Sequence, residues 1–372
     1  MTEQLMTTPP RTAAVPGTLI AEPFLHYSQE RIYNTLTDQL LSAGESGFQE
    51  MLRIRGGELA PAALSGSLLE SLVTRGWLVE TAPDLGARYR LKYASIEAST
   101  VCNQACYFCP VSVDRREDHT MSMELYEHIA AQLSEHRATI DGVSMIHYNE
   151  PTADKRFLDQ VRVLKRYGLP PAVVTNGTGL TPDRVDAIME MGGLRYLSVN
   201  LSTLDRERYK EERGGDHLNL VLRNLDHIKE KALAPQMDLA VIGKGDAVHR
   251  LDFEQISERF ANTRFKIHFY EAMDRAGAVP IGMHPGTRHE RLCGCEQTGS
   301  RAVQWVHITP RADCLLCCQD YYSEYVVGNL KEQKLNDILS GSRVSLLRRW
   351  VYGMEEAPDD FICRGCIYAL TS

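Results

Sequence analysis

The sequence predicts an α/β protein: a partial (β/α)6, TIM-like barrel preceded by a small helical unit and followed by a cysteine-rich one. Three observations carry that prediction. From Leu91 onward, short β-branched runs alternate with amphipathic stretches, the rhythm of parallel strands joined by crossover helices. Cys102, Cys106 and Cys109 follow directly after the first of those strands, on the side of a β/α barrel where loops carry chemistry. The remaining seven of the ten cysteines all lie beyond the last strand.

A chain of 372 residues is longer than one typical domain. Its 43% hydrophobic and 24% charged residues describe an ordinary globular protein. The net charge of −8 weighs against a nucleic-acid-binding surface. No run approaches the roughly 18 apolar residues needed to cross a bilayer, and the N-terminus lacks a charged-then-apolar secretory pattern. A cytoplasmic location without membrane contact is expected. Cysteines clustered at 102–109, 293–295, 314–318 and 363–366 read as metal ligation rather than as disulfides, which suits a reducing compartment.

Taken in order, residues 1–20 are rich in Thr, Pro and Ala and are expected to form a flexible tail. Residues 21–90 form a small domain. Ile32, Leu36, Leu40 and Leu41 recur at helical spacing, as do Phe48, Met51, Leu52 and Ile54, and Leu68, Leu69, Leu72 and Val73 make a third helix ending at Gly76. With short strands at Trp77-Leu78-Val79 and Tyr89-Arg90-Leu91, the order suits a winged-helix-like module. Residues 91–285 supply the barrel, with strands at 91–98, 143–149, 172–175, 195–201, 237–242 and 265–271. Helices at 122–136, 154–167, 182–191 and 217–231 lie between them. Residues 286–372 form the cysteine-rich domain. In it, Val303–Asp313 reads as a hairpin, a helix carries Leu335, Ile338 and Leu339, and Cys363-Arg364-Gly365-Cys366 closes the series.

Spacings of four and three let Cys102, Cys106 and Cys109 converge on one soft metal centre. Three local ligands leave one iron of an iron–sulfur cube open, whereas a structural zinc site closes with a fourth. The run C-x3-C-x-Φ-C, with Phe108 as Φ, resembles the signature of the radical S-adenosylmethionine enzymes. That resemblance implies a [4Fe-4S] cluster whose open iron chelates S-adenosylmethionine, reductive cleavage to a 5′-deoxyadenosyl radical, and a flavodoxin- or ferredoxin-type electron donor. It also implies cofactor-binding roles for Phe108 and for several residues at the strand ends. Tyr148-Asn149-Glu150-Pro151 stands where the family shows Gly-Gly-Glu-Pro, so Glu150 is implied to hold the ammonium of the cofactor, with Asn149 beside it. Thr175-Asn176-Gly177 resembles the family's structural turn. Ser198, Asn200 and Ser202 share one face by period two and are implied to meet the ribose and carboxylate. Arg213 matches a basic residue that pairs with that carboxylate.

The hairpin, helix and final C-x2-C resemble the auxiliary-cluster domain called SPASM, in its shorter twitch form. One auxiliary iron–sulfur cluster is implied, with Cys295, Cys317, Cys363 and Cys366 as ligands and Cys293, Cys314 and Cys318 as rivals; zinc is the alternative in a four-thiolate site. A spare thiol, Cys314 or Cys318, is a candidate hydrogen donor. The N-terminal unit looks like the peptide-recognition element fused to radical enzymes that modify ribosomal peptides, where a leader adds a strand to a sheet edge. Oxidative modification or cross-linking of a precursor peptide is therefore the leading function. A dehydrogenase or epimerase of a small polar metabolite is the alternative, and a zinc-dependent binding module a third reading.

Overall fold

The computed structural model describes residues 17–281, 288–296 and 300–371. The tail expected over 1–20 lies outside the described residues as far as position 16. Leu19–Ala21 (β1) precedes an antiparallel meander of Leu25–Tyr27 (β2), Arg31–Asn34 (β3) and Gln39–Ser42 (β4), in the order β2-β3-β4. The first of the three helices read from the sequence is therefore a hairpin. Its register pairs Ile32 with Leu41, both at 0% exposure, while Leu40 points outward at 47%. Asn34 turns the chain, because its Oδ1 accepts from the Leu36 and Thr37 amides at 3.0 and 3.2 Å, and Asp38 follows at φ 62°. The other two helices form as expected, at Phe48–Arg55 (α1) and Gly66–Thr74 (α2). Leu78–Glu80 (β5) pairs with β1, and Phe48, Met51, Leu72 and Trp77 fill the core between these elements. Tyr89-Arg90-Leu91 forms no strand.

The barrel strands are Tyr93–Ile96 (β6), Gly142–Ser144 (β7), Pro171–Thr175 (β8), Tyr196–Asn200 (β9), Met237–Gly243 (β10) and Phe265–Glu271 (β11). They run parallel in the order β11-β10-β9-β8-β7-β6. Between β6 and β7 come Pro110–Val113 (α3) and Met123–Ser134 (α4), and the later crossovers are Phe157–Arg166 (α5), Pro182–Glu190 (α6), Arg206–Arg213 (α7), Leu218–Ile228 (α8) and Ala247–Arg259 (α9). Strand β7 stops short of position 149 because the backbone beyond it turns to side chains: the His147 amide donates to Asn149 Oδ1 and the Tyr148 amide to Glu97 Oε1, each at 3.0 Å. Among the described residues β11 has no strand on its far side, so the barrel stays open there.

After the barrel come Leu292–Cys295 (β12), Arg301–Gln304 (α10), Trp305–Ile308 (β13), Asp313–Leu315 (β14), Val326–Asn329 (β15), Leu335–Leu339 (α11), Ser342–Val351 (α12) and Ala369–Thr371 (β16). The expected hairpin is β13 with β14, pairing His307 with Leu315. It lies beside β6 and, with β15, extends the parallel sheet to nine strands, while β12 pairs with β16 separately.

Two compact units divide the chain differently from the linear reading. One holds the described parts of Lys92–Pro285 and Val306–Leu335; the other gathers those of Met1–Leu91, Gly286–Trp305 and Asn336–Ser372. In the second unit, buried Arg348 on α12 joins all three segments, donating to the carbonyls of Gly86, Ala302 and Leu339 at 3.1, 2.8 and 2.7 Å. No helix among the described residues is long and apolar enough to cross a membrane.

Candidate active site

The loop after β6 is irregular until Pro110 begins α3, and two neighbours clamp it. The C-terminus of α7 accepts its backbone, Ala105 N–H donating to Arg213 O at 2.9 Å and Tyr107 N–H to Glu212 O at 3.1 Å. This close approach requires Gly214, at φ 67°, where an added Cβ would lie 2.9 Å from that of Ala105. On the other side, Asn103 accepts from Asn176 Nδ2 at 2.8 Å and donates to Thr178 Oγ1 at 2.9 Å, so the Thr-Asn-Gly turn after β8 grips the loop directly. Gln104 Nε2 donates to Tyr209 OH at 2.9 Å. Asn103 and Gln104 escaped the sequence reading; amides between three thiols, in a loop with no regular structure to satisfy it, were the available signal.

Burial pushes the Cys102 thiol up to about 12 and the Cys109 thiol upward as well, with Glu150 and the sister thiols adding to the effect at Cys102. As bare side chains these thiols hold their protons, so loading iron must release them. Cys106 Sγ lies 3.6 Å from both Gln104 Oε1 and Arg213 Nη1.

Glu150, 2% exposed, stands at the end of the irregular stretch after β7. Its amide donates to Val101 O at 3.0 Å, which fixes it against the cysteine loop. Oε1 accepts from Thr152 N, Thr152 Oγ1 and Thr175 Oγ1 at 3.0, 2.5 and 2.5 Å, and Oε2 from Asn176 N at 2.7 Å. Burial pushes this carboxyl up against the opposing pull of those donors. Asn149 is turned back onto its own loop. The aromatic that replaces a glycine has a physical reason, since Tyr148 OH donates to Cys318 O at 2.6 Å while His147 Nε2 meets the same oxygen at 3.1 Å. A glycine could not reach the 317–321 segment.

Arg213, which the resemblance matched to a basic residue pairing with the cofactor's carboxylate, is 1% exposed. Its guanidinium lies 4.9 Å from the Phe108 ring centroid and Nη2 donates to Ser202 Oγ at 2.5 Å. Phe108 packs with Cys106, Ala272 and Ile242. The structure thus brings Cys106, Phe108, Ser202 and Arg213 together. Ser198 sits deeper on the same face of the strand, two residues below Asn200.

The residues fit the implied cofactors. Arg213 Nε is buried with no acceptor, which an incoming carboxylate would satisfy. Glu150 has four donors and, among the described residues, no ion-paired cation, which suits an incoming ammonium. Among the described residues no three His, Cys, Asp or Glu side chains gather for a single ion, and a cubane, bound at separate corners, does not require that.

Of the C-terminal thiols, Cys295, Cys363 and Cys366 are neighbours in one unit: burial pushes Cys363 well up, and Cys366 and Cys295 add to it. Arg364 holds their turn, donating to the carbonyls of His289, Glu290, Ala357 and Pro358. Cys293 shares that unit, whereas Cys314, Cys317 and Cys318 belong to the barrel unit. Cys314, with 0% exposure inside β14, packs among core side chains. Cys318 is partly exposed.

Comparison with known proteins matches residues 96–253 to the radical SAM superfamily and residues 295–367 to SPASM, an iron–sulfur cluster-binding domain. A curated relative, the S-adenosyl-L-methionine-dependent 2-deoxy-scyllo-inosamine dehydrogenase of Niallia circulans, is 24% identical over 281 residues, covering 73% of this chain and 90% of the relative. Streptococcus suis SuiB bound to precursor peptide SuiA shares the fold at TM-score 0.54 and 12% identity, covering 94% of this chain and 93% of SuiB. Native anSMEcpe with bound AdoMet does so at TM-score 0.53 and 12% identity, over 75% and 87%. The chain belongs to the radical SAM superfamily, as an enzyme with a C-terminal SPASM domain whose cofactors are S-adenosylmethionine and [4Fe-4S] clusters.

Proposed function

We propose that this enzyme oxidatively modifies or cross-links a ribosomally made peptide. When bound, the first cluster and S-adenosylmethionine supply a 5′-deoxyadenosyl radical; the chain's task is to hold the cofactor, aim one C–H bond and exclude water. Cys102, Cys106 and Cys109 hold the cluster, Glu150 the cofactor's ammonium, and Arg213, oriented by Ser202, its carboxylate. Phe108 covers the thiol loop, and Asn149, Ser198 and Asn200 complete the polar wall. Cys295, Cys317, Cys363 and Cys366 are the ligands of a single auxiliary cluster in a twitch-type arrangement, the closeness of Cys295, Cys363 and Cys366 supporting three of the four. A flavodoxin- or ferredoxin-type protein delivers the electron in the cytoplasm.

The observation carrying the peptide reading is the meander ahead of the barrel. Among the described residues its outer strand β4 pairs on one side only and bears exposed Leu40, an edge to which a leader peptide can add a strand. SuiB, similar in fold over nearly the whole of this chain, carries a precursor peptide. The test is reconstituted enzyme with S-adenosylmethionine, dithionite and a synthetic peptide encoded by any short reading frame found beside the gene. The expected products are 5′-deoxyadenosine and a peptide lighter by about 2 Da, with Leu40→Arg weakening peptide binding. Cleavage without any change in peptide mass, alongside oxidation of an aminocyclitol, would replace this reading with the second one: a dehydrogenase of a small polar metabolite. The curated dehydrogenase supports that second reading through its similarity along most of both chains.

A further inference from the structure

The geometry points to Asp238, flanked by His268 on the open side of the barrel, as the site that reads an ammonium group on the substrate; the inference rests on the radical-enzyme reading but on neither choice of substrate. Alternation along the strands defines the face. Leu239 and Val241 turn toward the helices without exposure, and Phe269 stacks on His249 of α9 with centroids 3.9 Å apart. Asp238, Ala240 and Ile242 of β10, with His268 and Tyr270 of β11, therefore face the lumen. The register sets Asp238 beside Ser198, Ala240 beside Asn200 and His268, and Ile242 beside Tyr270.

Asp238 is 3% exposed inside a strand. Its Oδ2 accepts from Tyr196 OH at 2.7 Å and Gln236 Nε2 at 2.9 Å. Its Oδ1 has no hydrogen bond: His268 Nε2 is 3.3 Å away, but both atoms remain without a well-aligned partner. Three other buried carboxylates, Glu22, Glu97 and Asp252, are neutralised by Arg88, Arg116 and Arg208 at 2.6, 2.5 and 2.5 Å. Among the described residues no Lys or Arg nitrogen comes within ion-pair distance of Asp238, and Lys266, beside it in register, is exposed. A desolvated carboxylate with an idle oxygen calls for a donor, and a cationic one most strongly.

Access and reach agree with that role. His268 and Tyr270 stand on β11, which among the described residues pairs with β10 alone. Four residues separate the level of Asp238 from that of Ile242, which packs against the Cys106–Phe108 cluster, a rise of about 13 Å at the usual strand spacing. A substrate amine anchored at Asp238 thus has its carbon skeleton directed up the lumen toward the cysteine loop.

Two arms test the shared chemistry with holoenzyme: a lysine-containing tripeptide and the aminocyclitol 2-deoxy-scyllo-inosamine, each against its N-acetylated form, with affinity measured calorimetrically in the presence of S-adenosylmethionine. At least one amine should bind and its acetylated form should not. Asp238→Asn should weaken the amine about tenfold or more, with iron content and substrate-free 5′-deoxyadenosine formation unchanged. His268→Lys, at a partly exposed position, should block the amine by tethering an ammonium beside Asp238. Equal binding of free and acetylated probes, undiminished binding to both variants, or no binding of either amine up to about 10 mM would overturn the assignment. Absence of 5′-deoxyadenosine from the wild-type enzyme would instead count against the radical reading itself.

Discussion

Arg213 links three parts of the site through one guanidinium: the Phe108 face, the Ser202 hydroxyl and the Cys106 sulfur. Lysine has a point charge in place of that planar fork, so Arg213→Lys is not conservative here. Arg213→Met should leave Ser202 without its donor, lower stability by about 1–3 kcal/mol, and weaken S-adenosylmethionine about tenfold; a melting curve and a binding titration read the two effects separately, and unchanged cofactor affinity would remove Arg213 from the cofactor site. His26 makes a second prediction. Burial beside Tyr33 and Tyr352 lowers its pKa to about 4 from the ordinary 6.5. The unfolded chain therefore binds a proton first as pH falls, so stability present above 6.5 is lost progressively down to about 4, by on the order of 2–3 kcal/mol. Denaturation midpoints of wild type and His26→Gln across that window check it, because the variant's curve should be flatter.

At the scale of elements, the helix–loop contact at α7 depends on one residue. Gly214→Ala places a methyl against Ala105 in a left-handed backbone, and should cost about 1–2 kcal/mol while lowering iron retained per chain; iron assay before and after desalting measures the second effect. Much of this layer was legible in the sequence. The strand expected at 265–271 forms over those residues, because β-branched and aromatic alternation bounded by turn residues has one physical reading. The hairpin at Ile32–Leu41 was misread since two apolar residues facing each other across a turn can mimic helical spacing; the signal against a helix was Asn34, whose side chain satisfies the turn. Glu150 was singled out only through the resemblance of its Glu-Pro to the family's Gly-Gly-Glu-Pro, since a lone carboxylate after a strand is ordinarily an exposed loop charge. The Asp238–His268 pair could not be placed, because its meaning lies on a neighbouring strand and in a tyrosine 42 positions away, which no local period reports.

For the whole molecule, the count of clusters is the decisive quantity. Wild type with one auxiliary cluster should carry about eight iron atoms, and the triple Cys102→Ala, Cys106→Ala, Cys109→Ala variant about four. Loss of all iron from the variant would leave the C-terminal thiols to zinc. The arrangement that makes such a variant informative is the division into units, since the thiols Cys295, Cys363 and Cys366 belong to a body that does not contain the first loop. That body is assembled from three stretches of chain, joined through Arg348. During synthesis on the ribosome its first stretch emerges long before α12 exists, and must wait, unaccompanied, while the strands of the barrel appear and pair. A nascent chain stalled after residue 335 would thus leave its first stretch without the arginine that ties Gly86 to the rest, an invitation to chaperones or proteases.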